Sequence, residues 1–142
     1  MRITDVLRRK GNSVVTIPPD RSVRQLLDLL AQYRVGALVV SSDGVACDGI
    51  VSERDVVRTL QRDGDGVLDG PISQIMTAVV QTCVPDDTTD DLMSAMTEHR
   101  IRHVPVVVDG RLVGIVSIGD VVKHRLEELQ SERDQLTAYI HG

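Results

Sequence analysis

Two stretches decide the fold: GIVSERDVV at residues 49–57 and GIVSIGDVV at residues 114–122. Each starts as a short apolar run containing β-branched residues and ends in a polar turn that opens a helix. In each, a Ser stands three residues before an Asp: Ser52 before Asp55, and Ser117 before Asp120. That spacing makes a capping box, worth roughly 1 kcal/mol to the helix it starts. The same geometry suits phosphate chemistry. A helix N-terminus presents unpaired N–H groups and the positive end of its dipole to phosphate oxygens, and a carboxylate can accept from ribose hydroxyls.

Outward from these stretches, the chain is a repeat. Thr16, Pro19, Asp20, Ser22, Leu26, Leu30 and Arg34 recur 66 positions later as Thr82, Pro85, Asp86, Thr88, Leu92, Met96 and Arg100. Gly49 and Gly114 lie 65 apart, so one residue is gained or lost in the intervening turn. Each copy reads as an extended segment, an amphipathic helix, a strand, a turn, a second strand and a helix. The fold class is α+β, built from two βαββα units.

Within each unit, the first helix is capped by Ser22 with Gln25 or by Thr88 with Asp91. Its apolar face is Val23, Leu26, Leu27 and Leu30 in the first copy, and Leu92, Met93 and Met96 in the second. Residues 37–40 and 104–108 form strands, and Asp43-Gly44 and Asp109-Gly110 predict a hairpin after each. Residues 61–71 are rich in Gly and Asp and end in Pro71, which reads as a solvated connector. A calcium loop starting at Asp63 fails at Val67 and Leu68, which carry no side-chain oxygen. The resulting division is residues 1–62 for the first repeat, 63–71 for the linker, 72–126 for the second repeat and 127–142 for a helical tail. Along the C-terminal helix that runs into this tail, Val122, Leu126, Leu129, Leu136 and Ile140 keep heptad spacing, interrupted by Arg133. The stripe needs cover from its own module, a partner helix or the tail of a second copy.

Composition narrows the function. The 142 residues are 42% hydrophobic, enough for one ordinary core. A net charge of −5 removes the attraction that nucleic-acid binding needs. The chain has no apolar run approaching the roughly 20 residues that span a bilayer, so a cytoplasmic protein with no membrane insertion is expected. Cys47 and Cys83 sit outside any CxxC or Cys/His cluster and read as reduced thiols. His99 and His103 have metal-ligand spacing but no third ligand nearby, so no metal site is expected. With no Phe or Trp, a base-binding pocket would need aliphatic walls and backbone hydrogen bonds. The chain shows no activated nucleophile beside a base and no Walker-type phosphate loop, which argues against an enzyme.

The paired GIVSxxD segments, IRHVPVV at residues 101–107 and IMT at residues 75–77 resemble a tandem CBS (cystathionine-beta-synthase) domain pair over nearly the whole chain. The resemblance implies a Bateman module, two repeats packed around a pseudo-twofold axis with two clefts between them. Carried over, Asp55 and Asp120 match the ribose-binding aspartates, and Ser52 and Ser117 the hydroxyls near phosphate or ribose. Thr16 and Thr82 match the cleft-lining position of the first strand. Val35, Gly36 and Ala37, with Ile101, Arg102 and His103, match the segments that hold the adenine edge. Arg102 and His103 are also candidate anion ligands, and Pro105 fixes the turn into the strand. Arg54, Arg58 and Lys123 stand as further phosphate contacts. Because Gly36-Ala37 faces Arg102-His103 in the repeat, and Arg54 faces Gly119, the two clefts should differ in affinity.

The function this implies is a regulatory adenine-nucleotide sensor for AMP, ADP, ATP or NAD(H), with S-adenosylmethionine as a further candidate and no required cofactor. It would act as a homodimer on a regulated protein that the sequence does not name. The competing reading is a ligand-free structural or redox adaptor that works through the dimer surface, the helical tail or the cysteines.

Overall fold

The computed structural model describes residues 1–11, 14–78 and 80–141. In chain order the elements are α1 (Ile3–Lys10), β1 (Thr16–Ile17), α2 (Val23–Tyr33), β2 (Ala37–Val40), β3 (Gly49–Ser52), α3 (Glu53–Asp63), α4 (Thr89–His99), β4 (His103–Val108), β5 (Arg111–Ser117) and α5 (Ile118–His141). Short 3-10 turns at Asp65–Asp69 and Ile72–Gln74 join the halves.

The first repeat forms a three-stranded sheet in the order β1-β2-β3, with β1 parallel and β3 antiparallel to β2. In the second, β4 and β5 form an antiparallel pair with a bulge at Val106 and Val107. The counterpart of β1 shrinks there to one residue: Cys83 bridges Val106, giving its N–H to Pro105 and accepting from Val107. The βαββα reading therefore holds in both halves.

The two hairpins differ. Asp109 and Gly110 both adopt positive φ, 51° and 78°, the geometry of a two-residue turn that matches strand twist. Residues 41–48 instead make a longer loop held by side chains. Asp43 Oδ1 accepts from the N–H groups of Val45 and Ala46, and Asp48 Oδ2 accepts from Ser42.

Capping follows the sequence with one shortfall. Ser22–Gln25 and Ser52–Asp55 form reciprocal boxes, whereas Thr88 accepts from the Asp91 N–H with no return bond among the described residues. The apolar faces pack as expected: Val23, Leu26, Leu30, Leu92 and Met96 are buried. Leu27 lies at the edge of its face and is partly exposed.

The two cores exchange their leading segments. Ile3, Val6 and Leu7 of α1 are buried with Leu92, Met96, Val104, Val116 and Val121 of the second repeat. Ile72, which precedes the second repeat, is buried among Ile17, Val23, Leu26 and Val51 of the first. Sequence order places α1 with residues 1–62, but its side chains complete the other half. Burying several large aliphatic side chains across the junction contributes roughly 1.5–3 kcal/mol for each one.

Past the second repeat, α5 continues as one 24-residue helix. Val121 and His124 face inward, while Leu126, Leu136 and Ile140 are exposed by 62%, 63% and 75%. The stripe does not fold back on its own module. Gly142, the last residue of the expected tail, lies outside the described residues.

Candidate functional site: a cationic cleft between the repeats

The Ser52–Asp55 box fixes the wall of the first cleft. Asp55 Oδ2 accepts from the Ser52 N–H at 2.8 Å and from Ser52 Oγ at 3.1 Å. Its other oxygen has no recorded partner among the described residues and remains available to a hydroxyl donor. Beyond it lies a cavity of about 220 Å³ lined from both repeats. Gly36, Ala37, Ile50, Ser52, Glu53, Arg54, Asp55, Arg58 and Thr77 form one side, and Arg100, Ile101, Arg102 and His103 the other. A space of that size is well beyond the water-sized voids of a packed core.

Four arginines, Arg54, Arg58, Arg100 and Arg102, line this cleft against two carboxylates, Glu53 and Asp55. None of the four has an ion-pair partner among the described residues, so the cleft carries an unneutralised positive charge. Guanidinium groups are suited to bidentate phosphate recognition.

The repeats meet closely at Gly36. A methyl group added there would come within 3.3 Å of Glu53 Oε1 and 3.6 Å of the His103 ring, so the absence of a side chain sets the approach. His103 is half-buried. Burial pushes its pKa below the usual value, and Lys10 and Arg102 add to that effect against opposing Asp120 and Glu53. It therefore offers a neutral imidazole rather than a fixed cation.

The pseudo-equivalent carboxylate is held differently. Asp120 Oδ2 accepts from the Ser117 N–H at 2.9 Å, as in the first repeat, and also from Lys10 Nζ at 2.7 Å. Burial alone would raise its pKa, but the Lys10 and Ser117 hydrogen bonds outweigh it and hold the carboxyl below its ordinary value. Asp120 and Lys123 line a separate cavity between α1 and α5.

Of the residues singled out from sequence, Gly36, Ala37, Ser52, Arg54, Asp55, Ile101, Arg102 and His103 therefore come together in one cleft. Val35 lines an adjoining hollow beside Gly36. Thr16, Thr82, Pro105 and Ser117 are not among the residues lining these cavities. Thr16 is half-buried in β1, Thr82 is exposed, and Pro105 lies in β4 opposite Ile115. Ile50, Glu53, Thr77 and Arg100 line the cleft without having been read as site residues. Arg100 had a signal, since it is the repeat partner of Arg34, and both end their helices in the left-handed region, at φ 55° and 54°.

The CBS domain family profile matches residues 3–62 and 72–127. The chain belongs to the CBS domain family. It is 36% identical to a mitochondrial CBS domain-containing protein of Arabidopsis thaliana, covering 99% of this chain and 72% of that one. A CBS-domain-containing protein from Agrobacterium tumefaciens has a solved structure with TM-score 0.84 at 44% identity, covering 87% of this chain and 92% of its own. A CBS domain protein from Pyrobaculum aerophilum, solved complexed with AMP, matches with TM-score 0.73 at 32% identity over 84% of this chain and 89% of that one. The CBS pair here is thus a tandem repeat of the expected fold, and a relative with the same fold holds an adenosine ligand. Among the described residues, no helix is long and apolar enough to cross a membrane.

Both cysteines of this CBS pair are free. Burial, with Asp87 adding to it, pushes the Cys83 thiol up to about 12, and burial also raises that of Cys47. Neither thiol is set up as a reactive thiolate, which weakens the redox form of the adaptor reading.

Proposed function

We propose that the chain is a regulatory, non-enzymatic module that senses an adenosine phosphate in the cleft beside Asp55. The observation that carries this reading is the cleft itself, which gathers a carboxylate oxygen available to a ribose hydroxyl and four unpaired arginines between the two repeats. Aliphatic Ile50 and Ile101 supply walls for a base, and the arginines supply donors for its phosphates. The AMP complex of the Pyrobaculum relative supports the ligand class. The excess of positive charge favours AMP, ADP, ATP and NAD(H) over cationic S-adenosylmethionine.

Because both repeats line the cleft, a bound nucleotide would favour one relative placement of the halves over another. That differential affinity is what converts binding into a signal. We take the exposed stripe of α5 as the surface for homodimerisation, with residues 127–142 as its tail. Replacing Leu126 and Leu136 by Gln should leave the fold intact and yield monomers in sedimentation velocity.

The deciding experiment is a thermal-shift series with AMP, ADP, ATP, NAD, NADH and S-adenosylmethionine, followed by calorimetry of any ligand that raises stability. A saturable shift with a phosphate-bearing ligand is expected. No shift with any of the six would leave the adaptor reading, carried by the α5 surface, in its place.

A further inference from the structure

The stripe along α5 is a coiled-coil seam with one fault in it. Val122, Leu129 and Leu136 recur at seven-residue spacing and take the d positions of a heptad. Leu126, Arg133 and Ile140 take the a positions between them. All six are exposed in the single chain. At 1.5 Å of rise per residue the seam is about 27 Å long. Beyond Glu127, which pairs with Arg9, no residue of α5 makes a hydrogen bond or ion pair with another element among the described residues.

The fault is Arg133, a cation in the middle of an apolar seam. Its neighbour Glu132 is the nearest carboxylate in sequence, but successive residues on a helix do not face each other. Neither Glu132 nor Arg133 has an ion-pair partner among the described residues. A parallel pair with closed two-fold symmetry must be in register, so each a residue would meet its own copy. Arg133 would then share a layer with the second copy's Arg133, two like charges within a few ångströms. An antiparallel pair sets a against d instead. Val122 meets Ile140, Leu126 meets Leu136 and Leu129 meets Arg133, and all three pairs are centred on Ser131. A two-fold axis at that residue uses every position of the seam. It also separates the guanidiniums: each lays its methylene stem along the opposing Leu129 and reaches the opposing Glu132 with its charged head.

We propose that two copies of the chain join through α5 as an antiparallel helix pair centred on Ser131, with Arg133 setting the orientation. This rests on the homodimer reading above and adds its direction and register. The two repeat pairs then stand at opposite ends of one helical rod, and each cleft belongs to a single chain.

Two single-cysteine variants test this, Leu126→Cys and Leu136→Cys, each combined with Cys47→Ser. Both leucines are exposed in the single chain, and Cys83 is buried, its thiol pushed up to about 12, so it stays out of the exchange. In glutathione redox buffer the two proteins, mixed, should form disulfide-linked dimers in about tenfold higher yield than either alone, because only the antiparallel pair brings residue 126 against residue 136. Adding Arg133→Leu to Leu136→Cys removes the charge that forbids the parallel pair, and linking of that protein to itself should rise by about fivefold or more. Sedimentation velocity on the unaltered chain separates the two levels of the argument. A monomer there overturns the homodimer reading and this proposal with it. A dimer in which Leu136→Cys links to itself as readily as to Leu126→Cys, or in which neither combination links, leaves the homodimer standing and overturns the antiparallel pair. If Arg133→Leu does not raise self-linking, Arg133 does not set the orientation.

Discussion

Lys10 donates from Nζ to Asp120 Oδ2 at 2.7 Å across 110 residues of sequence, and to the Ile115 carbonyl at 2.8 Å. Asp55, the repeat partner of Asp120, has no such cation among the described residues. One ion pair thus separates two carboxylates that are otherwise capped alike, and it ties the chain's first helix to the first turn of its last. The pair is only partly exposed, by 33% and 26% at the side chains, so it lies toward the stronger end of the range for surface ion pairs.

Replacing Lys10 by Met should destabilise the fold by about 0.5–1 kcal/mol near neutral pH. The sign with pH follows from the lowered Asp120 pKa. A carboxyl held below its unfolded value of about 3.9 contributes stability above that value and loses it as pH falls through the folded pKa. Urea melts of wild type and Lys10→Met should therefore differ near neutrality and converge in acid. A gap that persists after Asp120 has protonated would assign the loss to packing of the lysine stem.

The two aspartates should separate affinity from stability. Asp55→Asn removes a charged acceptor that has no competing cation and should cost about 1–3 kcal/mol of nucleotide affinity. Asp120→Asn leaves Lys10 partly buried without its partner and should reduce stability more than it reduces affinity. Calorimetry with AMP and urea denaturation on both variants give the comparison. Equal affinity losses would mean that both clefts bind nucleotide alike.

What the sequence revealed and what it hid follows from how far apart the interacting residues lie. Capping at Ser22, Ser52 and Ser117 was legible because it depends on residues three apart. The family resemblance marked Asp55, Arg102 and His103 as ligand contacts, and only the packing shows that they meet in one cleft. Lys10 carried no local signal, since its partners are more than 100 residues away and nothing beside it marks a site. The exchange of leaders was hidden for the same reason: Ile3 and Ile72 look alike in sequence, and only the packing shows that each completes the other repeat's core.

That exchange should make the two repeats one cooperative unit. Leu7 is 7% exposed and lies against Gly114, so Leu7→Ala opens a cavity in the second repeat's core and should cost about 2–5 kcal/mol. Unfolding followed by the single aromatic of the first repeat, Tyr33, and by a probe attached to Cys83 under denaturing pulses should lose stability together. If Leu7→Ala lowers the Cys83 transition and leaves that of Tyr33 in place, the halves unfold independently.

Arg100 offers the sharpest division between fold and function. It closes α4 at φ 55°, where a non-glycine residue carries strain of order 1 kcal/mol, and its N–H donates to the Met96 carbonyl. Glycine is the residue that favours this position, so Arg100→Gly should leave stability unchanged to within about 1 kcal/mol or raise it. Its guanidinium lines the cleft, and losing it should weaken binding of ADP or ATP by about tenfold or more. Arg34→Gly is the matched control, because Arg34 ends α2 with the same geometry but does not line the Asp55 cleft. Thermal melts and nucleotide titrations on the pair should show similar stability effects and divergent affinities. Were both variants to bind alike, the left-handed arginine of α4 would be a helix terminator and the phosphate contacts would fall to Arg54, Arg58 and Arg102 alone.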